Sequence, residues 1–314
     1  MPEESLNSKD QNKVGRAWSQ QEERGNLAAL KLITWIAIHL GRRISRWILL
    51  PTVAYFFISS KSARLASKEF LSRIPNQSNG LLAVYKHFYA FAAVTLDRIF
   101  FLNNRLAMFN IEIRDKNNIA LTTASSGAGL FLMGAHMGSF ESVRSIAKRH
   151  PELKMILLMY EENARNIKQL LATINPKAQQ EIISLGQPGA MLQVRERLSE
   201  GALIGILADR ALDSHGNAHV RFLGQDAHFP IGPFRMAAML RNPVYFMVGI
   251  YGGGRRYTVH LEPIMDFSCA SNDGDNTAEK ALERYVQLVE QHCINAPYNW
   301  FNFYDFWQEK TPSL

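Results

Sequence analysis

From Asn110 onward the chain alternates short apolar runs with amphipathic stretches, and no other feature limits its fold so tightly. Such runs, bounded by polar and turn residues, read as strands buried on both faces, and the stretches between them read as helices. The expected strands are Ile111–Arg114, Leu130–His136, Lys154–Tyr160, Glu181–Leu185, Ala202–Asp209, Val244–Tyr251 and Arg256–Leu261. Helices are expected near Asn117–Ser126, Glu141–Arg149, Ala164–Ile174, Pro188–Glu200, Pro233–Leu240 and, after a polar loop at Ser271–Asn276, Thr277–Asn295. Strands joined through helices must run parallel, so the fold class expected is α/β: an αβα sandwich with a mainly parallel central sheet. Gly252-Gly253-Gly254, between the last two strands, reads as a hairpin turn.

Before Asn110 the texture differs. Residues 1–23 are polar without apolar periodicity and read as a flexible tail lacking the features of a signal peptide. Leu27 to Leu40 is apolar apart from Lys31, Gly41-Arg42-Arg43 interrupts, and Trp47 to Ile58 is apolar again. A membrane-spanning helix needs about 20 apolar residues, and joining the two runs would bury Arg42, Arg43 and Arg46 in hydrocarbon at roughly 3 kcal/mol each. Two interfacial helices, with Trp35, Trp47 and Tyr55 at headgroup depth and Arg42, Arg43 and Arg46 facing anionic lipid, fit the pattern better; a helical hairpin packed on the following domain, its charges merely solvated, is the alternative. The expected organisation is a tail over 1–23, basic apolar membrane-associated helices over 24–75, and a catalytic domain over 76–314. Leu81 to Phe109 is a further long helical stretch rich in aromatic residues.

Charge supports this division. The formal net charge is +7, yet residues 24–73 alone carry +8, with nine basic residues and the single acid Glu69. A basic excess confined to one apolar segment suits a membrane surface better than nucleic acid, and no nucleic-acid partner is expected.

Several chemistries are excluded by what is missing. No G-x-S-x-G elbow, Walker loop or strand-borne G-x-G-x-x-G is present, which disfavours covalent serine chemistry, nucleotide hydrolysis and dinucleotide binding. The two cysteines, Cys269 and Cys293, form no redox or zinc motif, and His215, His219 and His228 lack regular ligand spacing. Neither a metal nor a cofactor is expected.

In parallel sheets the chemistry lies beyond the carboxyl ends of the strands. Three such points carry reactive side chains. An apolar strand delivers His136 into a glycine-containing turn, with Glu141 in the first turn of the next helix, where a carboxylate could hold one imidazole nitrogen and leave the other as a base. Another strand ends in Asp209-Arg210, an acid and a base that could equally be an ion pair tying down a loop. The third point runs from Arg221-Phe222-Leu223-Gly224 to His228-Phe229-Pro230-Ile231-Gly232-Pro233-Phe234-Arg235, where a Gly-Pro helix start with Arg235 could receive an anion or simply cap the helix.

In this order, Ala135-His136-x4-Glu141, Leu207-Ala208-Asp209-Arg210, and Phe222-Leu223-Gly224 with Phe229-Pro230-Ile231-Gly232-Pro233 resemble the motif blocks of the bacterial lipid A biosynthesis (late) acyltransferases, within the lysophospholipid acyltransferase-like superfamily. Pro297-Tyr298-Asn299-Trp300 resembles the family's closing segment, and the likeness covers roughly residues 25–307. It departs in the split apolar segment, the single Phe before Leu223-Gly224, and the absence of an arginine cluster after the closing Trp. Trp18, Glu23-Arg24-Gly25 and Leu40-Gly41-Arg42 look more like acyltransferases of polyene- or other glycolipid-type pathways.

The resemblance implies an enzyme at the cytoplasmic face of the inner membrane, peripheral or monotopic. It would move a fatty acyl chain from an acyl-carrier-protein or CoA thioester to a hydroxyl of a lipid or glycolipid, without an acyl-enzyme. His136 would be the general base and Glu141 its orienting partner. Arg210 would contact the oxyanion or a phosphate, Asp209 would hold Arg210 or the acceptor, and Gly232 and Arg235 would bind phosphate. The helix from Leu81 would wall the acyl groove, with Phe88, Phe91 or Phe100 limiting chain length. A thioesterase using the same His-Glu pair on water, and a non-catalytic lipid-binding member, are the alternatives.

Overall fold

The computed structural model describes residues 27–115, 126–149, 153–175, 181–210, 216–268 and 274–307, with isolated positions in between. The tail expected over 1–23, His215 and Cys269 lie outside the described residues, as does most of the helix expected at Asn117–Ser126.

The seven expected strands form one sheet: β1 (Asn110–Asp115), β2 (Leu130–Gly138), β3 (Met155–Tyr160), β4 (Ile182–Leu185), β5 (Leu203–Leu207), β8 (Pro243–Tyr251) and β9 (Arg256–Asp266). Their order is β1-β9-β8-β2-β5-β3-β4. All neighbours are parallel except β8 and β9, which the Gly252-Gly253-Gly254 turn joins antiparallel. Between β5 and β8 lies a separate antiparallel hairpin, β6 (Asn217–Phe222) and β7 (Gln225–Pro230), which the pattern of apolar runs does not predict.

β2 is central and nearly all apolar because both its faces are covered. Phe131, Met133, Ala135 and Met137 point to a core shared with helices α6 (Ala190–Ser199), α7 (Gly232–Leu240) and α8 (Gly274–Asn295). Leu130 and Leu132 point the other way, to Val143 and Ile146 of α4 (Phe140–Arg149). A third cluster gathers α1 (Leu27–Ser59), α3 (Leu81–Leu102) and the end of α5 (Glu161–Ile174). Helix α2 (Lys61–Ser72) adds Phe70 and Leu71 to the main core. The expected sandwich with a mainly parallel sheet is the observed one.

The N-terminal segment breaks where expected: two helical stretches meet at a kink at Gly41, whose backbone is non-helical with φ 81°, a conformation natural to glycine. No helix among the described residues is long and apolar enough to cross a membrane.

Two of the arginines after Gly41, Arg42 and Arg46, face protein. Arg42 makes two hydrogen bonds to the buried carboxylate of Asp97 in α3, at 2.7 and 2.8 Å, and donates to the carbonyl of Gly254. Arg46 reaches the same carboxylate at 3.4 Å and the Tyr251 hydroxyl at 2.7 Å, while the Tyr257 hydroxyl donates to Asp97 at 2.9 Å. The expectation that Arg42 and Arg46 meet lipid headgroups is therefore corrected: a buried acid on the neighbouring helix pairs with both. The other residues expected at the membrane, Arg43, Trp35, Trp47 and Tyr55, are exposed.

Candidate active site

The parallel pairing of β2 with β5 sets Gly134 opposite Leu207. Two residues further on come His136, still in β2, and Asp209, just past the end of β5, so the register brings them side by side. The Asp209 carboxylate is fully buried and accepts four hydrogen bonds. These come from His136 Nδ1 (2.7 Å), the His136 backbone N–H (3.0 Å), Trp300 Nε1 (3.1 Å) and Asn302 Nδ2 (3.0 Å). Because an ionised carboxylate only accepts, Nδ1 carries the proton and Nε2 keeps its lone pair. The His136 side chain is 30 % exposed against none for Asp209, so the imidazole opens to solvent on the side away from its partner.

Glycines let this corner close. At Gly138 the chain leaves β2 with φ 57°, and a Cβ there would run into the Gly249 carbonyl of β8. The tight approach allows Ser139 to donate to the Gly249 carbonyl at 2.8 Å and α4 to begin at Phe140. On the other side the closing segment lies along the tip of β2. Gly138 N–H bonds the Asn299 carbonyl (2.8 Å) and Phe301 N–H bonds the His136 carbonyl (2.7 Å), which delivers Trp300 and Asn302 to Asp209.

Burial holds the His136 pKa below its ordinary value; the nearby Arg210 and Arg98 charges add to this, and Asp209 opposes it. Burial alone would raise the Asp209 carboxyl, but its bonds with His136 and the charge of Arg210 outweigh it and keep the carboxyl well below the carboxylate range. At neutral pH the pair is thus a neutral imidazole on an anionic carboxylate.

Two expected roles change. Glu141 is not the residue on His136 Nδ1: its carboxylate is taken by Arg98 of α3 and by the Ser139 hydroxyl at 3.3 Å, and Asp209 has the orienting position instead. Nor is Asp209 engaged in holding Arg210. Arg210 donates to Asn302 Oδ1 (2.7 Å) and the Phe301 carbonyl (3.1 Å), and its guanidinium lies 5.8 Å from the Tyr304 ring centre. The two changes have separate causes: Arg98 of α3 takes up Glu141 while the β2–β5 register sets Asp209 beside His136, and the closing segment offers Arg210 its acceptors and surrounds Asp209 with donors.

His136, Asp209, Arg210 and Glu141 thus meet at one rim, and Arg98, Trp300 and Asn302 join them. Gly232 and Arg235 are exposed in the first turn of α7, where the β6–β7 hairpin hands over to that helix; the bonds that build the His136–Asp209 cluster are made by other residues. Sequence reading notices Trp300 only as part of a closing segment and misses Arg98 and Asn302, which carry no spacing signal. The arrangement can remove a proton at Nε2 and stabilise negative charge nearby with two guanidinium groups.

The model of the family described as bacterial lipid A biosynthesis acyltransferase matches residues 27–309. Among solved structures, the chain is similar to the 1-acyl-sn-glycerophosphate (LPA) acyltransferase PlsC from Thermotoga maritima, at 12 % identity and a TM-score of 0.35, over 86 % of this chain and 96 % of that one. No curated protein matches in sequence. On the family match, which spans every element described above, the chain belongs to the bacterial lipid A biosynthesis acyltransferases.

Proposed function

We propose that this acyltransferase moves a fatty acyl chain from a thioester donor, acyl-carrier protein or acyl-CoA, to a hydroxyl of a lipid or glycolipid at the cytoplasmic face of the inner membrane. The observation that carries the reading is the His136–Asp209 pair, which fixes the tautomer that leaves Nε2 basic at the solvent side. In this mechanism His136 Nε2 takes the proton of the acceptor hydroxyl as its oxygen attacks the thioester carbonyl. The C–O bond forms, the C–S bond breaks, and the imidazolium returns the proton to the departing thiolate. Asp209 stabilises the transient imidazolium; Arg210 faces the developing oxyanion or a phosphate. Glu141 holds Arg98 in place. A positioned base is worth about 10²–10⁴-fold, with proximity and charge stabilisation supplying the rest.

The acyl chain would run along α3. Phe91 is half-exposed and packs edge-on against Phe301 (5.3 Å), whose own N–H is bonded to the His136 carbonyl. This makes Phe91 the chain-limiting side chain, whereas Phe100 is fully buried in the helical core and Phe88 is wedged between Phe57 and Phe303.

Helix α1 supports membrane docking through inverted amphipathicity. Thr34, Ala37, Arg42, Ser45 and Val53 are buried in its packing, while Trp35, Leu40, Trp47, Tyr55 and Ile58 are exposed. Large apolar residues outside and small or polar ones inside suit a lipid-facing helix. Exposed Leu65, Leu81 and Leu82 extend the apolar surface, and exposed Arg43, Lys61, Lys68 and Lys86 are available to anionic headgroups.

Incubating the enzyme with radiolabelled acyl-carrier protein or acyl-CoA, with and without a lipid extract, tests this reading. Label appearing in a lipid only when the extract is present is expected. Free fatty acid released at a rate that the extract does not change would instead establish a thioesterase, and lipid binding without turnover of either donor would establish a non-catalytic member.

A further inference from the structure

A second cluster of chemistry-bearing side chains lies on β9 and α8, and the reaction at His136 does not use it. His260 and Glu262 are two apart on β9 and so project from the same sheet face, the face that α8 covers. From the last turn of α8, His292 reaches that face and its Nε2 lies 2.7 Å from Glu262 Oε1. The His260 ring stands edge-on to His292, with centres 4.6 Å apart, and one ligand atom from each of the three residues falls within 4.8 Å of the others.

We propose that His260, Glu262 and His292 form a binding site for a divalent transition-metal ion of the zinc class. Two imidazoles and one carboxylate are a donor set that suits zinc and not the oxygen-seeking calcium or magnesium, and they leave a fourth position for water. An ion between them would replace the His292–Glu262 hydrogen bond with two coordination bonds and draw in His260. Metal binding needs neutral imidazoles and an ionised carboxylate. Phe246 stacks on His292 at 5.3 Å and fixes its ring, while Glu262 is partly exposed and leaves an entry path.

The position gives the ion a use. The chain runs from the end of α8 through Pro297 into the segment that places Trp300 and Asn302 on Asp209. A metal clipping the last turn of α8 to β9 would therefore brace the segment that closes the active site, without touching the reacting atoms.

The test uses the purified full-length chain after chelator treatment. Titration with Co²⁺ should show the visible d–d bands of a four-coordinate ion at one per chain, and Zn²⁺ should displace it and raise Tm. His260→Ala and Glu262→Gln should each weaken Zn²⁺ binding by about 100-fold or more. His219→Ala, which alters the cross-strand His219–His228 pair of the hairpin, should leave it unchanged. An absence of four-coordinate Co²⁺ bands with the wild-type chain would overturn the proposal, as would Zn²⁺ binding insensitive to His260→Ala or lost on His219→Ala.

Discussion

The imidazole of His136 has one nitrogen committed to a buried carboxylate and the other turned toward solvent, and two predictions belong at that scale. Asp209→Asn removes the charge that stabilises the imidazolium and frees the tautomer, so kcat should fall by about 10²–10⁴-fold in the thioester assay while KM for the donor changes little. Activity requires neutral His136, whose pKa lies below 6.5 through burial and the Arg210 and Arg98 charges. A profile of kcat/KM should accordingly be flat above pH 6.5 and fall on an acidic limb below it. Arg210→Gln removes a charge that disfavours the imidazolium, so the limb should move to higher pH; a limb that stays put would show that Arg210 does not act on His136. The sequence shows both residues at strand ends but joins His136 to Glu141, because spacing within one turn is visible in a sequence and the pairing of β2 with β5 across the fold is not. Arg98 and Asn302 are invisible for the same reason: each is brought to the rim by packing of distant segments.

At the scale of elements, two buried polar contacts join helices to the body of the protein. Asp97 ties α1, through Arg42 and Arg46, to α3 and to Tyr257 of β9. Asp97→Ala leaves the buried Arg42 guanidinium without its acid, and breaking such a pair costs about 3–5 kcal/mol, to be read from urea unfolding. His87 of α3 lies fully buried between the Ser67 hydroxyl of α2 (2.8 Å) and the Trp300 carbonyl (2.8 Å) of the closing segment. Burial lowers its pKa from 6.5 to about 4, the Trp300 bond only partly opposing this. A lowered folded-state pKa means stability that is present above pH 6.5 and lost as pH falls toward 4, on the order of 3 kcal/mol. His87→Gln should flatten that part of the stability profile. Most elements are legible in the sequence because their apolar periodicity is strong: every strand of the main sheet and helices α4 to α8 lie close to where the pattern puts them. The β6–β7 hairpin escapes because its residues, among them His219, Arg221, Asp226 and His228, are too polar to read as strands, and its stability comes from Phe222 and Phe229 packing under Trp300 and Phe306. The break at Gly41 is legible as an interruption between two apolar runs, whereas Asp97, the partner that takes Arg42 and Arg46, lies far along the chain and carries no spacing signal.

For the molecule as a whole, the basic N-terminal excess divides into two populations. Arg42 and Arg46 hold the fold together, while Arg43, Lys61 and Lys68 stay at the surface beside exposed apolar side chains. Membrane attachment should depend on the apolar surface first: Trp47→Asp combined with Leu82→Asp should reduce sedimentation with anionic vesicles, and added salt should weaken binding only in part. Sedimentation unchanged by the double substitution would rule out this face as the docking surface. The central claim is that acyl transfer runs through His136 on a scaffold that folds without it. Its most direct test is acyl transfer to a lipid extract by wild-type and His136→Ala enzymes matched for thermal unfolding and vesicle binding. Transfer should be lost in the variant while both controls hold, and near-normal transfer by the folded, membrane-bound His136→Ala protein would contradict the account.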